Sequence, residues 1–459
     1  MKHKVRHIHF IGIGGVGMSG IAEVLYNLGY KVSGSDAVGN YNTERLAEIG
    51  VKIFIGQSAL NLDDSDVVVT SSAIKEDNPE LIAARELGIT IVPRAMMLAE
   101  LMRFKYGIAI AGTHGKTTTT SLCTEVLSQC GLDPTFIIGG KLAVTDSNAK
   151  LGAGDYLVAE ADESDASFLH LNPLIAVVTN IDLDHMDTYD HDEEKLKQTF
   201  IDFLHRLPFY GQAILCNEDE RIKSILPLIK RPMITYGLTA DCAVYAKDIK
   251  SCGPKMQFTV CVKEYNLEYP ITLNLPGLHN VLNALSVIAV GLECEGKIED
   301  IAEGLANFHG VGRRCQHYPD INYMNKCATL IDDYGHHPNE LKATLSALRG
   351  AYPEKRMVLI FQPHRFSRTR DLFDDFISVL RDVDQVIVME VYAAGEKSIP
   401  LADGRSLVRA IRLLGNENVA FAEDLPDAKE ILFNILQDGD LVVTMGAGSI
   451  GKLAQLLVD

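Results

Sequence analysis

The chain has 459 residues, 47% of them hydrophobic, which predicts about three domains that can each bury a core. Its 43 Lys and Arg residues against 61 Asp and Glu residues give a formal charge of −18, which argues against a nucleic-acid-binding protein. Nine cysteines without metal-ligand spacing indicate reduced thiols in a cytoplasmic protein, and no apolar run is long enough to predict membrane insertion. Whether the protein is a monomer or a homodimer stays open.

The first predicted element is a strand at residues 7–11, which leads into a glycine-rich loop and a helical pattern at residues 18–25. The loop, Gly12-Ile-Gly14-Gly15-Val-Gly17, fits G-x-G-x-x-G, in which glycines let backbone N–H groups approach a pyrophosphate at a helix N-terminus. A second strand ends at Asp36, about 20 residues past the loop, where dinucleotide folds place a ribose-binding acid. Taken alone, the pattern predicts NAD, and the alternative is a set of glycines that serve only a tight turn.

Strand-like runs alternate with helical patterns along the whole chain, which predicts parallel sheets covered by helices and therefore an α/β fold. The runs fall into three series, and residues 310–314 are the predicted linker before the third. We predict strands at residues 7–11, 31–35, 51–55, 67–70 and 89–93, then at 108–111, 156–160, 175–179 and 213–216 with further β-type segments near 240–275, and last at 328–331, 357–361, 386–389 and 441–444.

A second phosphate-type loop, Gly112-Thr113-His114-Gly115-Lys116-Thr117-Thr118, joins a short strand to a helix about a hundred residues after the first loop. A lysine in this position suits the β- and γ-phosphates of ATP, and a threonine hydroxyl suits Mg²⁺. The strict motif has a glycine where this chain has Ile110, so the pattern is only partly met. A lysine that merely caps the loop is the alternative. The loop predicts a protein that consumes ATP.

Four carboxylates follow a predicted strand in the run Glu160-Ala-Asp162-Glu163-Ser-Asp165. The carboxyl ends of strands face the ligand crevice in α/β sheets, and carboxylate oxygens near an ATP loop are ligands that Mg²⁺ prefers. A solvated acidic surface loop is the alternative. His185 follows the next strand and can bind a second metal ion or reach a phosphate. These residues predict phosphoryl transfer in which metal ions neutralise charge.

Asn280 and Asn283 lie one turn apart on a predicted helix, where their amides can read an adenine edge. A helix cap explains Asn280 equally well.

The third series carries a candidate amino-acid site. Tyr334 and His336 follow one predicted strand, and Arg365 and Arg368 follow the next. Guanidinium groups bind carboxylates through paired hydrogen bonds, so two arginines at i and i+3 suit an amino-acid substrate. Surface arginines paired with nearby aspartates are the alternative. A further glycine-rich run at residues 446–451 is interpreted as a strand-to-helix turn.

Taken together, the motifs resemble those of the Mur ligases of bacterial peptidoglycan synthesis, most closely the members that add alanine. The match covers essentially the entire chain, and a series of motifs in family order is far more specific than any one loop. The matching motifs are residues 14–20, 112–119, 160–165, 184–189, 332–338 and 361–369.

The resemblance implies three domains: a Rossmann-like domain at residues 1–105 that binds a UDP-sugar, a central P-loop ATPase domain with a mixed sheet at 106–312, and a Rossmann-like C-terminal domain at 313–459 that receives the amino acid. In this family the first loop holds the UDP diphosphate, so a dinucleotide fingerprint occurs without redox chemistry. The implied reaction joins L-alanine to the lactyl carboxylate of UDP-N-acetylmuramate through an acyl phosphate, with ATP and Mg²⁺ as cofactors.

The resemblance also implies roles for residues. Lys116, Glu160 and His185 are the implied catalytic residues, and Thr117, Glu160 and His185 the implied metal ligands. The implied ATP-binding residues are Gly112, Thr113, His114, Gly115, Lys116, Thr117, Thr118, Asn280, Asn283, Arg314 and Asp332. The implied UDP-sugar-binding residues are Gly14, Gly15, Gly17, Ser35, Asp36, Ser71 and Ser72. The implied amino-acid-binding residues are Tyr334, His336, Arg365 and Arg368.

Two departures and three alternatives accompany the resemblance. Cys315 stands where members often have an aromatic residue, and Phe200 stands where some relatives that add later amino acids use a carbamylated lysine, so no such lysine is assigned. The nearest alternative is a recycling ligase of the same family, which adds a whole tripeptide. An NAD-dependent oxidoreductase would leave Lys116 and the carboxylate run unexplained. A regulatory nucleotide-binding protein would require a broken catalytic motif.

Overall fold

The structure, a computed structural model, describes residues 4–142 and 147–458. These residues form three β-sheets whose strands alternate with helices, which confirms the predicted α/β class and its three sheet-containing domains. The chain divides into two compact units. The first comprises Met1–Asp248, Phe258–Thr272 and Leu282–His309, and the second comprises Ile249–Gln257, Leu273–Val281 and Gly310–Asp459.

The N-terminal sheet has five strands, all parallel. Its elements are β1 (His7–Ile11), α1 (Val16–Asn27), β2 (Lys31–Asp36), α2 (Tyr41–Glu48), β3 (Lys52–Ile55), β4 (Val67–Thr70), α3 (Pro79–Glu86), β5 (Thr90–Pro93) and α4 (Arg94–Met102). The strand order is β3-β2-β1-β4-β5. The order reverses between β1 and β4, and ligands bind at the carboxyl ends of strands beside such a reversal.

The central sheet has ten strands and is mixed, as predicted. Its strands are β6 (Tyr106–Ala111), β7 (Thr135–Leu142), β8 (Ser147–Lys150), β9 (Tyr156–Glu160), β10 (Ile175–Val178), β11 (Gln212–Cys216), β12 (Met233–Gly237), β13 (Val244–Cys252), β14 (Lys255–Val262) and β15 (Leu267–Leu273). The helices are α5 (Lys116–Gln129), α6 (Glu193–Leu204), α7 (Glu220–Ile225), α8 (Leu278–Glu293) and α9 (Ile298–Ala306). β6 lies between β9 and β10 and runs parallel to both, so all three strands end at one edge.

The C-terminal sheet has six strands in the order β16-β17-β21-β18-β19-β20, and only the β16–β17 pair is antiparallel among the described pairs. The strands are β16 (Gln316–Tyr323), β17 (Lys326–Asp333), β18 (Met357–Phe361), β19 (Gln385–Met389), β20 (Val419–Ala422) and β21 (Leu441–Met445). The helices are α10 (Pro338–Ala351), α11 (Phe366–Asp371), α12 (Phe373–Leu380), α13 (Gly404–Leu413), α14 (Leu425–Ile435) and α15 (Leu453–Val458). The run at 446–451 follows β21 and precedes α15, which confirms the predicted strand-to-helix turn.

The C-terminal sheet is buried on both faces. Along β18, Leu359 and Phe361 enter one apolar cluster, while Val358 and Ile360 enter the cluster on the opposite face. A parallel sheet covered by helices on both sides requires such continuous apolar strands. Polar side chains with a functional role are therefore left to the strand ends. No helix among the described residues is long and apolar enough to cross a membrane.

Helix α1 packs against β7 and β8 of the central sheet. A Cβ atom on Gly20 would lie 3.1 Å from Ala149 Cβ and 3.2 Å from Ile137 Cγ2, so the missing side chain permits this close approach. The buried amide of Asn148 donates a 2.7 Å hydrogen bond to the carbonyl oxygen of Val16. The N-terminal sheet's first helix is thus fixed to the central sheet by both packing and a hydrogen bond.

Every strand predicted by residue number is present, with ends shifted by one or two residues at most. The sequence reading missed β7, β8, β12, β16 and β20. Of these, β8, β16 and β20 lie at sheet edges, and β8 and β16 are rich in polar residues. An edge strand needs less apolar character because it pairs on one side only, which weakens the pattern that the prediction relied on. The domain boundaries at 105 and 312 stay predictions.

Candidate functional site

The second loop leaves β6 and enters α5 with two glycines in left-handed conformations, Gly112 at φ +123° and Gly115 at φ +84°. A Cβ atom on Gly112 would lie 2.2 Å from Thr179 Oγ1, and one on Gly115 would lie 3.0 Å from Asn283 Oδ1. Both the conformations and the close contacts therefore require glycine. No side chain caps α5 and its first turn carries no acidic residue, so its N-terminal N–H groups face the loop. This arrangement suits a bound phosphate.

The segment after β10 fixes the same loop from the side. Asn180 Oδ1 accepts a 2.8 Å hydrogen bond from the backbone N–H of His114, and Thr179 Oγ1 donates a 2.6 Å bond to the His114 carbonyl oxygen. The backbone N–H of Asp182 donates to Thr113 Oγ1 at 2.8 Å, and the Asp182 carboxylate lies 3.1 Å from His114 Nε2. Thr113 and His114 thus have structural partners within this unit, and several hydrogen bonds fix the loop to the segment after β10.

Lys116 is turned back onto its own loop. Its Nζ atom donates to the carbonyl oxygens of Gly112 at 2.6 Å and Thr113 at 3.1 Å, and to the Glu163 carboxylate at 2.8 and 3.0 Å. Glu163 is buried. Burial alone would lower the pKa of Lys116, but the charge and hydrogen bonds of Glu163 outweigh it and raise that pKa above its ordinary value. Lys116 therefore carries its positive charge at neutral pH.

The four carboxylates after β9 have four different partners. Glu160 accepts a 2.6 Å hydrogen bond from the N–H of Gly139, and Glu163 binds Lys116. Asp162 accepts bonds from the N–H and hydroxyl of Ser164 and lies 3.3 Å from Arg94, and Asp165 accepts a bond from the N–H of Ser167. The run is therefore a structured loop, and Glu163 is the member that contacts the predicted phosphate lysine.

His185 begins a short 3-10 helix at Met186–Tyr189 with φ +55°. Its Nε2 lies 3.6 Å from the Asp184 carboxylate. The hydroxyl of Thr188 donates a 2.6 Å bond to the Ser164 carbonyl oxygen, and the hydroxyl of Tyr189 donates to that of Glu163. The histidine segment is thus fastened to the carboxylate run, which brings two of the predicted metal-binding segments together.

Other predicted nucleotide residues take varied positions. Thr117 lies in the first turn of α5 and is half-buried, and Thr118 is buried. Asn283 lies beside Gly115, since a Cβ atom on Gly115 would be 3.0 Å from Asn283 Oδ1. Asn280 belongs to the second unit, where its buried amide donates a 2.7 Å bond to the Pro276 carbonyl oxygen. Asn280 thus fastens the start of α8 to the segment before it.

The first loop is held by the end of β2. The N–H groups of Gly12 and Ile13 donate to the carbonyl oxygen of Ser35, and the N–H of Gly14 donates to Asp36 Oδ2 at 2.9 Å. Helix α1 begins without a side-chain cap at Gly15 and without an acidic residue in its first turn. Gly15 is exposed there, so the uncapped helix end is open to an anion.

Ser35, Ser71 and Ser72 sit differently around this loop. The Ser35 side chain is fully buried and its hydroxyl donates a 2.5 Å bond to the buried Glu80 carboxylate, so it supports the loop from inside. Ser71 and Ser72 follow β4, the strand next to β1, and Ser72 is exposed. A Cβ atom on Gly12 would lie 3.2 Å from Ile74 Cδ1, so the two strand ends meet.

Arg94 was not predicted from the sequence, although it lies between the two loops. It follows β5 at the same sheet edge and is half-buried. A Cβ atom on Gly17 would lie 3.0 Å from Arg94 Nη1, so the guanidinium rests against the first turn of α1. Its Nη2 lies 3.3 Å from Asp162 Oδ2 in the carboxylate run. The sequence signal that could have identified Arg94 was a basic residue directly after a predicted strand.

In the second unit, Asp332 is fully buried and pairs with Arg313, the neighbour of Arg314 in sequence. Arg313 Nε lies 2.8 Å from Asp332 Oδ2, and the Thr444 hydroxyl donates a 2.6 Å bond to Oδ1. Both arginines lie near the Tyr334 ring, with the Cζ of Arg313 5.2 Å and the Cζ of Arg314 5.3 Å from the ring centroid. The two neighbouring arginines therefore share the Tyr334 ring and differ in their carboxylate partners, since Arg313 binds the buried Asp332 and Arg314 lies 3.9 Å from Glu340.

The predicted amino-acid residues gather around two histidines. The His336 ring lies 5.6 Å from both the Tyr334 and His364 rings. Burial lowers the pKa of His364 to about 4, with further lowering from His336, Arg368 and Arg365 in that order. Burial also lowers the pKa of His336. Both imidazoles are neutral at neutral pH, so the positive charge of this site comes from the arginines.

Arg365 is placed by an unusual backbone. It has φ +70°, and its N–H donates a 2.9 Å bond to the Tyr392 carbonyl oxygen. The Tyr392 ring stacks on His364 at 5.5 Å, and Glu396 accepts bonds from the N–H and hydroxyl of Ser367. A left-handed arginine is costly and occurs mostly where function requires it. His364, Tyr392 and Glu396 thus complete a cluster that the sequence reading described only in part.

Known proteins match the whole chain. The family models described as Mur ligase family, catalytic domain; Mur ligase middle domain; and Mur ligase, glutamate ligase domain match residues 7–106, 110–291 and 297–448. The UDP-N-acetylmuramate–L-alanine ligase of Laribacter hongkongensis is 61% identical, with 100% of this chain and 98% of the relative covered. A UDP-N-acetylmuramate-alanine ligase structure from Thermotoga maritima matches with TM-score 0.83, 28% identity and 98% of each chain covered. A murein peptide ligase structure from Psychrobacter arcticus matches with TM-score 0.70, 24% identity and 98% of each chain covered, which shows the shared fold.

Proposed function

The chain belongs to the Mur ligase family, and we propose that it joins L-alanine to the lactyl carboxylate of UDP-N-acetylmuramate with the conversion of ATP to ADP and phosphate. The reaction is a step of peptidoglycan precursor synthesis. The observation that carries the proposal is the contact of Lys116 with Glu163 at 2.8 Å, since it joins the phosphate loop to the carboxylate run in one unit. We propose a cytoplasmic location, because both ATP and a nucleotide sugar are used.

ATP is proposed to bind with its phosphates at the start of α5. The uncapped N–H groups and the charged Lys116 supply positive charge there, which favours the β- and γ-phosphates. Gly112, Thr113, His114, Gly115, Thr117 and Thr118 form the loop and the first turn, Asn283 contacts it, and Asn280, Arg314 and Asp332 are further proposed members.

The donor set near Lys116 fits Mg²⁺. Thr117 offers a hydroxyl in the first turn of α5, Glu160 offers a carboxylate at the end of a neighbouring parallel strand, and His185 lies in the segment fastened to the same run. Oxygen ligands with phosphate and water suit Mg²⁺. When bound, Mg²⁺ would neutralise charge on the transferring phosphoryl group. The residues proposed to hold it are Thr117, Glu160 and His185.

The sugar nucleotide is proposed to place its diphosphate at the start of α1. Gly14, Gly15 and Gly17 form the approach, and Asp36 fixes the loop by accepting from the Gly14 N–H. Ser71 and Ser72 are proposed as contacts from the adjacent strand end, while Ser35 acts from inside through its bond to Glu80. Because α1 is fixed to β7 and β8, this site has a set position relative to the second loop.

L-Alanine is proposed to bind among Tyr334, His336, Arg365 and Arg368. An arginine fork binds a carboxylate through two parallel hydrogen bonds, and two arginines lie beside the His336 and His364 rings. Neutral imidazoles near them can accept hydrogen bonds from the ammonium group of the substrate.

In the proposed mechanism, an oxygen of the lactyl carboxylate attacks the γ-phosphorus of ATP, and ADP leaves. The product is an acyl phosphate. The amine of L-alanine, after loss of one proton, attacks the acyl carbon to give a tetrahedral intermediate, and phosphate leaves as the amide forms. Lys116 neutralises charge on the transferring phosphoryl group, and alignment of the three reactants supplies much of the remaining acceleration.

The test is phosphate release from ATP and Mg²⁺ with UDP-N-acetylmuramate and L-alanine, with each component omitted in turn. Release that requires both the sugar nucleotide and alanine is the expected result. A parallel reaction replaces alanine with the L-Ala-D-Glu-diaminopimelate tripeptide. Activity with the tripeptide alone would make the protein a recycling ligase, and no activity with either amine would contradict the ligase proposal.

A further inference from the structure

Arg94 occupies a position between the two phosphate-type loops. Its Nη1 rests against Gly17 in the first turn of α1, and its Nη2 lies 3.3 Å from Asp162 Oδ2. Asp162 is next in sequence to Glu163, the partner of Lys116. One guanidinium therefore touches the end of α1 that is open to an anion and also the carboxylate run beside the ATP loop.

The Arg94–Asp162 contact is poorly suited to a purely structural role. The two side chains are 23% and 40% exposed, and an ion pair with such access to water stabilises a fold very little. Asp162 also keeps two hydrogen bonds without Arg94, because the N–H and hydroxyl of Ser164 both donate to its Oδ1, whereas Arg94 contacts Oδ2. Arg94 can therefore move away from Asp162 while the Asp162 carboxylate keeps its hydrogen bonds from Ser164.

The charge of the protein makes a local cation here important. The formal charge is −18, so the overall field repels an anionic ligand, and binding depends on positive groups placed at the site. The first turn of α1 begins Val-Gly-Met-Ser and contains no basic residue. Arg94, from the start of α4, brings a fixed positive charge to this position.

We propose that Arg94 binds an anionic oxygen of the sugar nucleotide and exchanges Asp162 for this oxygen when the substrate binds. The inference rests on the proposed function and adds a residue to its site. The oxygen belongs either to the diphosphate or to the lactyl carboxylate, and both present the same chemistry to a guanidinium. Arg94 thereby holds the substrate between the helix end that binds it and the loop that phosphorylates it.

The test measures binding of UDP-N-acetylmuramate and of UDP by calorimetry, without ATP or Mg²⁺. Arg94→Ala is expected to raise the Kd of UDP-N-acetylmuramate about 10- to 100-fold, the usual effect of losing a hydrogen bond to a charged group. An equal loss for UDP assigns the diphosphate, and a loss confined to UDP-N-acetylmuramate assigns the carboxylate. Arg94→Lys should recover part of the affinity, because it keeps the charge without the fork.

Two further variants separate binding from structure. Asp162→Asn breaks the ion pair but keeps Arg94, and it should not weaken binding. Arg103→Ala removes an exposed arginine at the other end of α4 that pairs with Glu100 at 3.0 Å, and it should leave the Kd unchanged. In turnover, Arg94→Ala should raise the KM of the sugar nucleotide without changing the KM of ATP or alanine.

The proposal would be overturned by unchanged binding of both ligands to Arg94→Ala, or by a loss in Asp162→Asn as large as that in Arg94→Ala. Failure of the wild-type protein to bind UDP-N-acetylmuramate is a different result, since it contradicts the proposed function before any variant is compared. A loss of thermal stability in Arg94→Ala with equal increases in all three KM values would likewise assign Arg94 a structural role and overturn the proposal.

Discussion

Nζ of Lys116 lies 2.8 Å from Oε2 of Glu163 and 2.6 Å from the carbonyl oxygen of Gly112, so the lysine of the ATP loop is held by its own surroundings. An incoming phosphate finds the ammonium already oriented, which reduces the cost of ordering it. Because Glu163 also binds this ammonium group, the phosphates of ATP must either displace the Glu163 carboxylate from Lys116 or bind beside it.

We expect Lys116→Ala to lower phosphate release at least about 100-fold, because it removes a charge aimed at the transferring phosphoryl group. Binding of UDP-N-acetylmuramate should survive, since the first loop is separate. Phosphate release and calorimetric binding test this on one preparation. Loss of both properties in a folded variant would show that the two sites are not independent.

Gly112→Ala should abolish ATP binding. Its φ of +123° is unfavourable for alanine, and its Cβ would lie 2.2 Å from Thr179 Oγ1 and 2.9 Å from the Asn180 backbone oxygen. Gly131→Ala is the matched control at the other end of α5, with φ +76° and open space around the new methyl group. The control should cost about 1 kcal/mol of stability and leave ATP binding intact. Equal ATP affinity in the two variants would contradict the steric argument.

Arg313→Ala should mainly lower stability, whereas Arg314→Ala should mainly lower turnover. Arg313 pairs with the fully buried Asp332, and its loss should destabilise the second unit by about 3–5 kcal/mol. Arg314 lies over the Tyr334 ring, and its ion pair with Glu340 is long, at 3.9 Å. Its loss should therefore change the free energy of unfolding by less than about 1 kcal/mol and should lower turnover. Hydrogen exchange of β17 and β21 gives the stability, and phosphate release gives the turnover. A stable Arg313→Ala variant would remove the distinction.

Asn148→Ala should weaken the attachment of α1 to the central sheet. The variant removes the 2.7 Å hydrogen bond to the Val16 carbonyl oxygen, which keeps a 3.0 Å bond from the Ser19 hydroxyl, so the cost should be about 0.5–1.5 kcal/mol. Binding of UDP-N-acetylmuramate should weaken as well, because Val16 is the first residue of the helix whose start is proposed to bind the diphosphate. Asn172→Ala is the control, since its exposed amide donates a 3.3 Å bond to the carbonyl oxygen of His170, two residues earlier in the chain. The midpoint of thermal unfolding and the calorimetric Kd of UDP-N-acetylmuramate are compared in the two variants. Equal values in Asn148→Ala and Asn172→Ala would contradict the prediction.

His364 should make the second unit sensitive to acid. Its folded pKa of about 4 lies below its ordinary value of 6.5, so the unfolded chain takes up a proton at a higher pH than the folded one. The stability that depends on the neutral ring is complete above 6.5 and is lost as the pH falls from 6.5 through about 4. His364→Gln should reduce the loss of stability between about pH 7 and about pH 5 by on the order of 1–2 kcal/mol.

The control for this prediction is His191→Gln, whose side chain is 75% exposed. Urea unfolding followed by circular dichroism at each pH supplies the free energies, since the chain contains no tryptophan for fluorescence. An identical pH dependence in wild type and His364→Gln would show that the His364 ring does not contribute.

Parallel pairing explains why much of the fold and the grouping of the loops could be predicted. β6, β9 and β10 are short apolar runs that end in polar residues, and parallel neighbours bring such ends to one edge. The sequence therefore placed Lys116 near the carboxylate run. It could not select Glu163 among four carboxylates, because that choice depends on the path of the loop after Glu160.

Three further details depended on contacts between distant residues. Arg313 and Arg314 are adjacent and identical in type, and only the position of Asp332 separates their roles. Ser35 is buried against Glu80, which lies on α3, so its role depends on a residue far along the chain. Arg94 followed a predicted strand, yet nothing in its local pattern distinguished it from other basic residues. Side-chain partners of this kind are set by the folded chain and not by a local periodicity.

The packing of α1 on β7 and β8 bears on how such enzymes can be recombined. A chimaera that exchanges residues 1–105 between relatives would separate Gly20 from Ala149 and Ile137, and Val16 from Asn148. The transplanted segment would then face a surface shaped for another helix. Transfer of residues 135–150 together with the N-terminal segment would keep both halves of this contact, so the exchangeable part of the chain is discontinuous in sequence.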